Sequence, residues 1–132
     1  AVARRKGIEF VGPYGPADLG RLYRSVHFAW AIDYFEEGLN SSWLLPNRLY
    51  EASFHGAIPI ALKHVQTGKW LAERDAGLLV EDPVEELLDR LGELDSMGFR
   101  KECERLMRIK ADDLRISDSE CVGLVRALGG VE

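Results

Sequence analysis

The chain has 132 residues, which is enough for one domain with a hydrophobic core of its own. Hydrophobic residues make up 46% of the sequence and charged residues 30%, a balance that excludes an intrinsically disordered chain. The formal net charge of −5 argues against a general nucleic-acid-binding protein, which would carry a basic excess.

The first predicted element is a short strand at Ile8–Val11, closed by a segment rich in glycine and proline. This turn-rich segment contains Pro13 and Tyr14. Apolar residues then recur at helical spacing and predict a helix with one inward face. The residues of that face are Leu19, Leu22, Tyr23 and Val26.

The next five residues, Phe28 to Ile32, are all apolar and predict a strand that helices cover on both faces. On this interpretation Trp30 belongs to the core. Asp33 ends the strand, and a long polar segment follows from Tyr34 to Leu45. Because long loops inside compact domains are often functional, this loop is a candidate for ligand contacts.

The strongest local signal lies in the middle of the chain. It predicts a helix whose first turn holds Pro46 and which stops at Gly56. Leu49 and Ala52 belong to a small apolar face that can lie against a sheet. The opposite stripe is polar, and such a stripe by itself is most often a solvated surface. Its members are Asn47, Arg48, Glu51 and His55.

This polar stripe begins at a helix N-terminus, where free N–H groups and positive potential attract phosphate. The helix also lies between two predicted strands, and ligands of open parallel sheets bind at the carboxyl ends of strands. These surroundings favour a ligand site on the stripe over a merely solvated surface.

Two further strands are predicted at Ile58–Leu62 and Gly77–Val80. Pro59 is awkward in the first of them, because proline cannot donate to a ladder. Thr67 is predicted to cap the helix between these two strands. The alternation of strands and helices predicts an α/β fold of Rossmann-like type, a parallel sheet with helices on both faces.

Three helices are predicted after the last strand. Asp82 and Pro83 begin the first of them, and Ser117 with Glu120 forms a capping box for the last. Helical spacing identifies the apolar residues of each helix. They are Val84, Leu87, Leu88, Leu91 and Leu94 on one face of the first, Phe99, Cys103, Leu106 and Met107 in the second, and Cys121, Leu124, Val125 and Leu128 facing inward in the last.

Several catalytic motifs are missing from the sequence. It has no glycine-rich phosphate loop, no dinucleotide fingerprint and no nucleophile elbow, and its three histidines are too scattered for a metal site. No cofactor and no metal is therefore expected. The two cysteines fit small buried groups in a reducing compartment, and no apolar run approaches the ~20 residues of a membrane span. We expect a cytoplasmic protein.

Motifs across nearly the whole chain resemble the C-terminal domain of GT-B glycosyltransferases, and among these the bacterial exopolysaccharide enzymes of the succinoglycan type. The most specific motif is the run Pro46–Glu51 together with Gly56 and Pro59. The remaining matches are Val11-Gly12, Asp18-Leu19, Leu22-Tyr23, Trp70-Leu71, Gly77–Val80 and Asp82-Pro83. In that family this domain binds the nucleotide-sugar donor, while a separate N-terminal domain binds the saccharide acceptor.

The resemblance implies roles for individual residues. Glu51 matches the glutamate that holds both ribose hydroxyls, and an ionised carboxylate suits a vicinal diol. Arg48 is suited to the diphosphate or the base, and Asn47 lies on the same stripe. Two loops complete the predicted donor site: Ser42, Trp43 and Leu45 before the helix, where amides meet phosphate or sugar, and Pro13 and Tyr14, which face the base.

The resemblance also implies an activity. We expect residues 1–132 to form one donor-binding domain of a longer two-domain enzyme, which transfers sugar from a UDP- or GDP-linked donor without a metal. The acceptor would be a growing exopolysaccharide or a lipid-linked saccharide, at the cytoplasmic face of the inner membrane. The chain alone should not turn over, because the acceptor and the general base would come from the other domain.

The sequence departs from the family pattern in two places. Trp43 stands where many retaining members carry a second glutamate, so retention and inversion both stay open. Family members also usually have two strand–helix units before the strand predicted at Ile8. We expect the sheet to repair this gap by repacking or by pairing between two chains in a homodimer.

A second interpretation belongs to another functional class. The chain could be a flavodoxin-like receiver or protein-interaction domain without catalysis, with Asp33 as phospho-acceptor at a strand end. Lys63 follows a later strand, as such a domain requires. A receiver also needs an acidic cluster beside the acceptor, and the sequence around Gly12 and Pro13 does not supply one.

Overall fold

The computed structural model describes residues 6–33, 45–114 and 125–129. A short 3-10 turn precedes the first α-helix, at Pro16–Asp18. The remaining elements, in chain order, are α1 (Leu19–Arg24), β1 (Phe28–Trp30), α2 (Asn47–Phe54), β2 (Ile58–Leu62), α3 (Gln66–Glu73), β3 (Leu78–Val80), α4 (Pro83–Glu93), α5 (Ser96–Met107) and α6 (Ala111–Leu114). A last helical turn covers 125–129.

The three strands form one parallel sheet in the order β1-β2-β3. Phe28 lies opposite Ile58, and Ile60 lies opposite Leu78. Every residue of β2 is buried, because this strand has a neighbour on each side and helices above and below. The predicted α/β fold is confirmed.

Pro59 lies in the middle strand although proline has no backbone N–H, and the position of that missing donor explains why it is tolerated. The amide of Ile58 donates to the carbonyl of His27, just before β1, and the amide of Lys63, just after β2, donates to Val80 of β3. Even-numbered residues of this segment therefore face β1 and odd-numbered ones face β3. Pro59 faces the β3 side, ahead of Leu78, where β3 begins. The lost N–H therefore costs no bond of the ladder.

Two large core clusters hold the sheet to the helices. The larger joins β2 to α2, α3 and α5 through Leu49, Ile58, Leu71 and Leu106. The second joins Ile32, which follows β1, and residues of β2 and β3 to the inner side of α4. Its buried members are Ile32, Ile60, Leu62, Leu78 and Val80, with Leu87 and Leu91 packed against them.

The strand predicted at Ile8–Val11 is wrong. These residues have no strand pairing, and Phe10 is 70% exposed. In the described ranges β1 is consequently an edge strand. The predicted core position of Trp30 is also wrong, because this residue of β1 is 45% exposed. An edge strand has a neighbouring strand on one side only, so side chains near its open side stay accessible to solvent. The pairing of two chains at such an edge stays a prediction, which light scattering can test.

Two of the predicted helix-terminus residues, Gly56 and Asp82, have the predicted role in the structure. Gly56 has a φ of +87°, the left-handed conformation that ends α2, as predicted. Pro46 is the N-cap of that helix and not part of its first turn. Asp82 caps α4 as predicted, with its side chain accepting from the amide of Val84 at 2.9 Å. The predicted cap Thr67 is wrong, because it lies buried inside α3.

The apolar face predicted for the first C-terminal helix, α4, was too wide. Val84 and Leu88 are 85% and 83% exposed, whereas Leu87 and Leu91 pack against the sheet. These two pairs form adjacent stripes on α4, and only one stripe reaches the sheet. Val125 and Leu128, which were predicted to face inward, are exposed as well. The predicted capping box at Ser117 and Glu120 and the inward residues Cys121 and Leu124 lie outside the described residues.

Within the described ranges, the helices are too short or too polar for any one of them to traverse a lipid bilayer.

Candidate functional site

The candidate site lies where α1 meets the outward side of α2. Leu49 and Ala52 of α2 are fully buried, so this helix is fixed against the core. At helical spacing the opposite side then faces outward, with Arg48 exposed and Glu51 half-buried. Packing of the apolar face thus determines where the two charged side chains of the predicted donor site project.

A hydrogen bond joins the two helices at this point. The hydroxyl of Tyr23 in α1 donates to Oε2 of Glu51 in α2, over 3.3 Å. The ring of His55 stacks on the ring of Tyr23 at a centroid distance of 6.2 Å and an interplanar angle of 8°. Tyr23 also packs against a small cluster of buried alanines, namely Ala29, Ala52 and Ala57.

The environment of the Tyr23 phenol shifts its acidity. Burial raises the pKa of Tyr23 above its usual value of 10.0, and the negative charge and hydrogen bond of Glu51 raise that pKa further. Tyr14 adds a smaller increase, and the positive charge of Arg48 acts in the opposite direction on the same pKa. The phenol therefore stays protonated at neutral pH and acts as a donor, within electrostatic reach of Glu51, Tyr14 and Arg48.

A cavity of about 740 Å³ opens beside this hydrogen bond. Its wall combines aromatic rings with two guanidinium groups, those of Arg21 and Arg48, and one carboxylate, that of Glu9. Rings and cations together suit a flat, anionic ligand such as a nucleotide. The rest of the wall comprises Val11, Tyr14, Leu19, Leu22, Tyr23, Ser25, Val26, Phe28, Ala29 and Trp30.

The structure brings part of the predicted donor site together. Tyr14 and Arg48, which are 34 positions apart in the sequence, line the same cavity. Glu51 is not in the cavity wall but is one hydrogen bond away from it, through Tyr23. Glu51, the central residue of the predicted site, therefore lies beside the cavity, and one of its carboxylate oxygens accepts a hydrogen bond from Tyr23.

Other predicted residues lie elsewhere. Asn47 and Pro13 are exposed and are not in the cavity wall, and Leu45 packs against the larger core cluster. Ser42 and Trp43 lie outside the described residues. The roles assigned to these five residues in donor binding stay predictions.

Local sequence patterns do not identify Tyr23, Trp30 and Arg21 as residues of this site. Helical spacing groups Tyr23 with apolar residues, and the apolar run around Trp30 predicts a core position for it. The available signal was the polar tip of tyrosine, since a partly buried phenol usually finds a hydrogen-bond partner. That this partner is Glu51, 28 positions away, depends on how two helices pack, which local sequence patterns do not reveal.

The receiver interpretation gains no support from the described residues. Asp33 is exposed after β1, and Lys63 is exposed after β2. In the part of the chain that the structure describes, no three residues of the types His, Cys, Asp and Glu are placed so that they could hold a metal ion. The acidic cluster that a phospho-acceptor requires is thus not found there.

Comparison with known proteins finds a similarity to a curated bacterial protein. The chain is 46% identical over 123 residues to the succinoglycan biosynthesis protein ExoL of Rhizobium meliloti (strain 1021). The match covers 92% of this chain and 30% of that protein, so the chain spans less than a third of the relative's length. No protein-family model and no solved structure matches the chain.

Proposed function

We propose that this chain is the donor-binding domain of a GT-B type glycosyltransferase and that it binds the nucleoside diphosphate part of a nucleotide-sugar. The observation that carries the proposal is the convergence of Arg48, Tyr14 and the Tyr23–Glu51 pair at one cavity. A cation suits a phosphate, an aromatic ring suits a base, and a carboxylate suits a ribose diol.

In this proposal each group has a distinct contact. Arg48 binds the diphosphate, because its guanidinium matches phosphate oxygens in a bidentate geometry. The ring of Tyr14 lies against the base, and the Glu51 carboxylate accepts hydrogen bonds from the ribose hydroxyls. The cavity of about 740 Å³ falls within the range of pockets that hold small molecules, so its size is compatible with a nucleotide.

The proposed catalytic contribution of this domain is to the leaving group. As the bond from the sugar to the diphosphate breaks, negative charge develops on the departing oxygen. Arg48 and the positive N-terminal end of α2 stabilise that charge, which lowers the barrier electrostatically. The acceptor and the group that activates it come from a separate domain of the full-length enzyme, so the chain by itself binds the donor but does not turn over.

The similarity to ExoL supports a proposal for the pathway. Because ExoL is a succinoglycan biosynthesis protein, we place the full-length enzyme in the synthesis of succinoglycan or a related bacterial exopolysaccharide. Its acceptor is then a growing or lipid-linked saccharide. We propose that it works in the cytoplasm, at the inner face of the membrane.

Isothermal titration calorimetry of this chain with UDP and GDP tests the proposal. One of the two nucleotides should bind, and Glu51→Gln should weaken its affinity about tenfold or more, since hydrogen bonds to a charged group are lost. Glu93→Gln, an exposed glutamate at the end of α4, is the matched control and should leave affinity unchanged. A folded chain that binds neither nucleotide would overturn the proposal.

A further inference from the structure

We infer that Tyr23 is a positioning residue that fixes the Glu51 carboxylate and so allows the site to select ribose over deoxyribose. This inference rests on the proposed function, because it concerns how the same carboxylate recognises its ligand. It goes further because it assigns the selectivity for the sugar to Tyr23 and to the 2′-hydroxyl of the ligand.

The first step is that Tyr23 itself is held in place. Its ring is stacked against His55 on one side and packs against the alanine cluster of Ala29, Ala52 and Ala57. A glycine at position 20 makes room for this arrangement, since a Cβ there would lie 3.1 Å from Cε1 of His55 and 2.9 Å from Nη1 of Arg24. The phenol hydroxyl therefore projects from a packed ring and not from a freely rotating side chain.

The second step concerns the carboxylate. A glutamate on a helix surface has three rotatable side-chain bonds and loses that freedom when it binds a ligand. The hydrogen bond from Tyr23 to Oε2 restricts Glu51 before any ligand arrives. An acceptor that is already oriented binds a hydroxyl at a lower entropic cost, which is the general advantage of preorganisation.

The third step is selectivity. A carboxylate has about four acceptor positions on its two oxygens, and the Tyr23 hydroxyl uses one of them on Oε2, so the group can accept further hydrogen bonds from sugar hydroxyls. A fixed carboxylate distinguishes a ligand with a 2′-hydroxyl from one without it, because the missing hydroxyl leaves an oriented, partly desolvated acceptor unpaired. A freely moving carboxylate turns to water and discriminates less.

The experiment compares UDP with 2′-deoxy-UDP, and GDP with 2′-deoxy-GDP, by calorimetry on the wild-type chain and on Tyr23→Phe. The wild-type chain should prefer the ribonucleotide about tenfold. Tyr23→Phe keeps the ring and its stacking but loses the donor, so this preference should fall to about threefold or less, while affinity for the deoxynucleotide stays nearly constant.

The control is Tyr50→Phe. Tyr50 is also half-buried and lies on α2, but it packs against the larger core cluster and against Trp70. It should leave the ribose preference unchanged. Thermal unfolding of each variant establishes that the fold is retained.

The outcomes separate the inference from the proposed function. If the wild-type chain binds no nucleotide, the proposed function fails and the inference with it. If the chain binds and selects ribose but Tyr23→Phe retains the full preference, or lowers affinity for both nucleotides equally, only the positioning role of Tyr23 is overturned.

Discussion

Gly68, in the first turn of α3, lies directly against the backbone carbonyl of Leu62 at the end of β2. A Cβ atom added at Gly68 would overlap the Leu62 oxygen, and the neighbouring Cα of Lys63 would be only 3.0 Å away. Both obstacles are backbone atoms, which cannot move aside as a flexible side chain can. The close approach of α3 to the central strand thus requires a residue without a side chain.

We expect Gly68→Ala to destabilise the fold by about 3 kcal/mol or more, because the helix must shift away from β2. Gly92→Ala is the matched control. Gly92 lies near the end of α4 with open space around its Cα, so an added methyl group should stabilise the helix by about 0.5 kcal/mol. Urea unfolding of both variants measures the difference, and similar values for the two would contradict the packing described here.

Leu49 anchors the helix that carries the candidate site. Its side chain is fully buried in the larger core cluster. Leu49→Ala should lower the free energy of unfolding by about 2–5 kcal/mol, the usual cost of a cavity in a packed core. Leu88→Ala removes the same atoms from a side chain that is 83% exposed and should change stability by less than about 0.5 kcal/mol. Equal losses in urea titrations would show that α2 is not anchored through Leu49.

Alkaline pH should weaken the fold through two tyrosines. Burial raises the pKa of Tyr50 above 10.0, and burial together with Glu51 raises that of Tyr23. A raised pKa in the folded state means that the folded protein holds its proton longer than the unfolded chain. The associated stability is therefore fully present below pH 10.0 and is lost as the pH rises through the raised values.

Urea unfolding in a series of buffers that extends above pH 10.0 measures this loss, and the double variant Tyr23→Phe, Tyr50→Phe should reduce it. The absorbance of phenolate reports all four tyrosines of the chain, and the part that the double variant loses belongs to Tyr23 and Tyr50. Titration of these phenols at or below pH 10.0 in the folded chain would disprove the prediction.

Acidic pH should loosen the start of α4. Oε2 of Glu86 accepts from the amide of Asp82 at 2.8 Å and from that of Glu81, and these bonds lower the pKa of Glu86 below 4.5. The stability that they give is present above pH 4.5 and is lost as the pH falls through the lowered value. Glu86→Gln should flatten this part of the stability profile. Glu85→Gln, on the same exposed turn, should leave the pH profile of stability unchanged. A profile that Glu86→Gln does not alter would contradict the stabilising role of these two hydrogen bonds.

The sequence predicts those parts of the fold that depend on local rules. The continuous apolar run Ile58–Leu62 identified a strand buried on both faces, and Asp82-Pro83 identified a helix start, because each signal is complete within a few residues. Gly56 identified a helix end for the same reason. In each case the physical cause lies in the residues that carry the signal.

What the sequence did not predict depends on the tertiary neighbours of a residue. Ile8–Val11 has the composition of a strand but no partner strand, and Trp30 has the size of a core residue but lies on an edge strand. The pairing of Tyr23 with Glu51 arises from the packing of α1 on α2. This part of the candidate site therefore depends on how the helices pack in space.

The most direct test of the central claim is to map where the nucleotide binds. Amide chemical shifts of the isotopically labelled chain, recorded during titration with UDP or GDP, locate the contact residue by residue. We predict that the changes concentrate at Tyr14, Tyr23, Arg48 and Glu51. Changes concentrated elsewhere, for instance at the separate polar cavity of Lys63, Arg90 and Arg105, or no change at saturating nucleotide, would contradict the donor site described here.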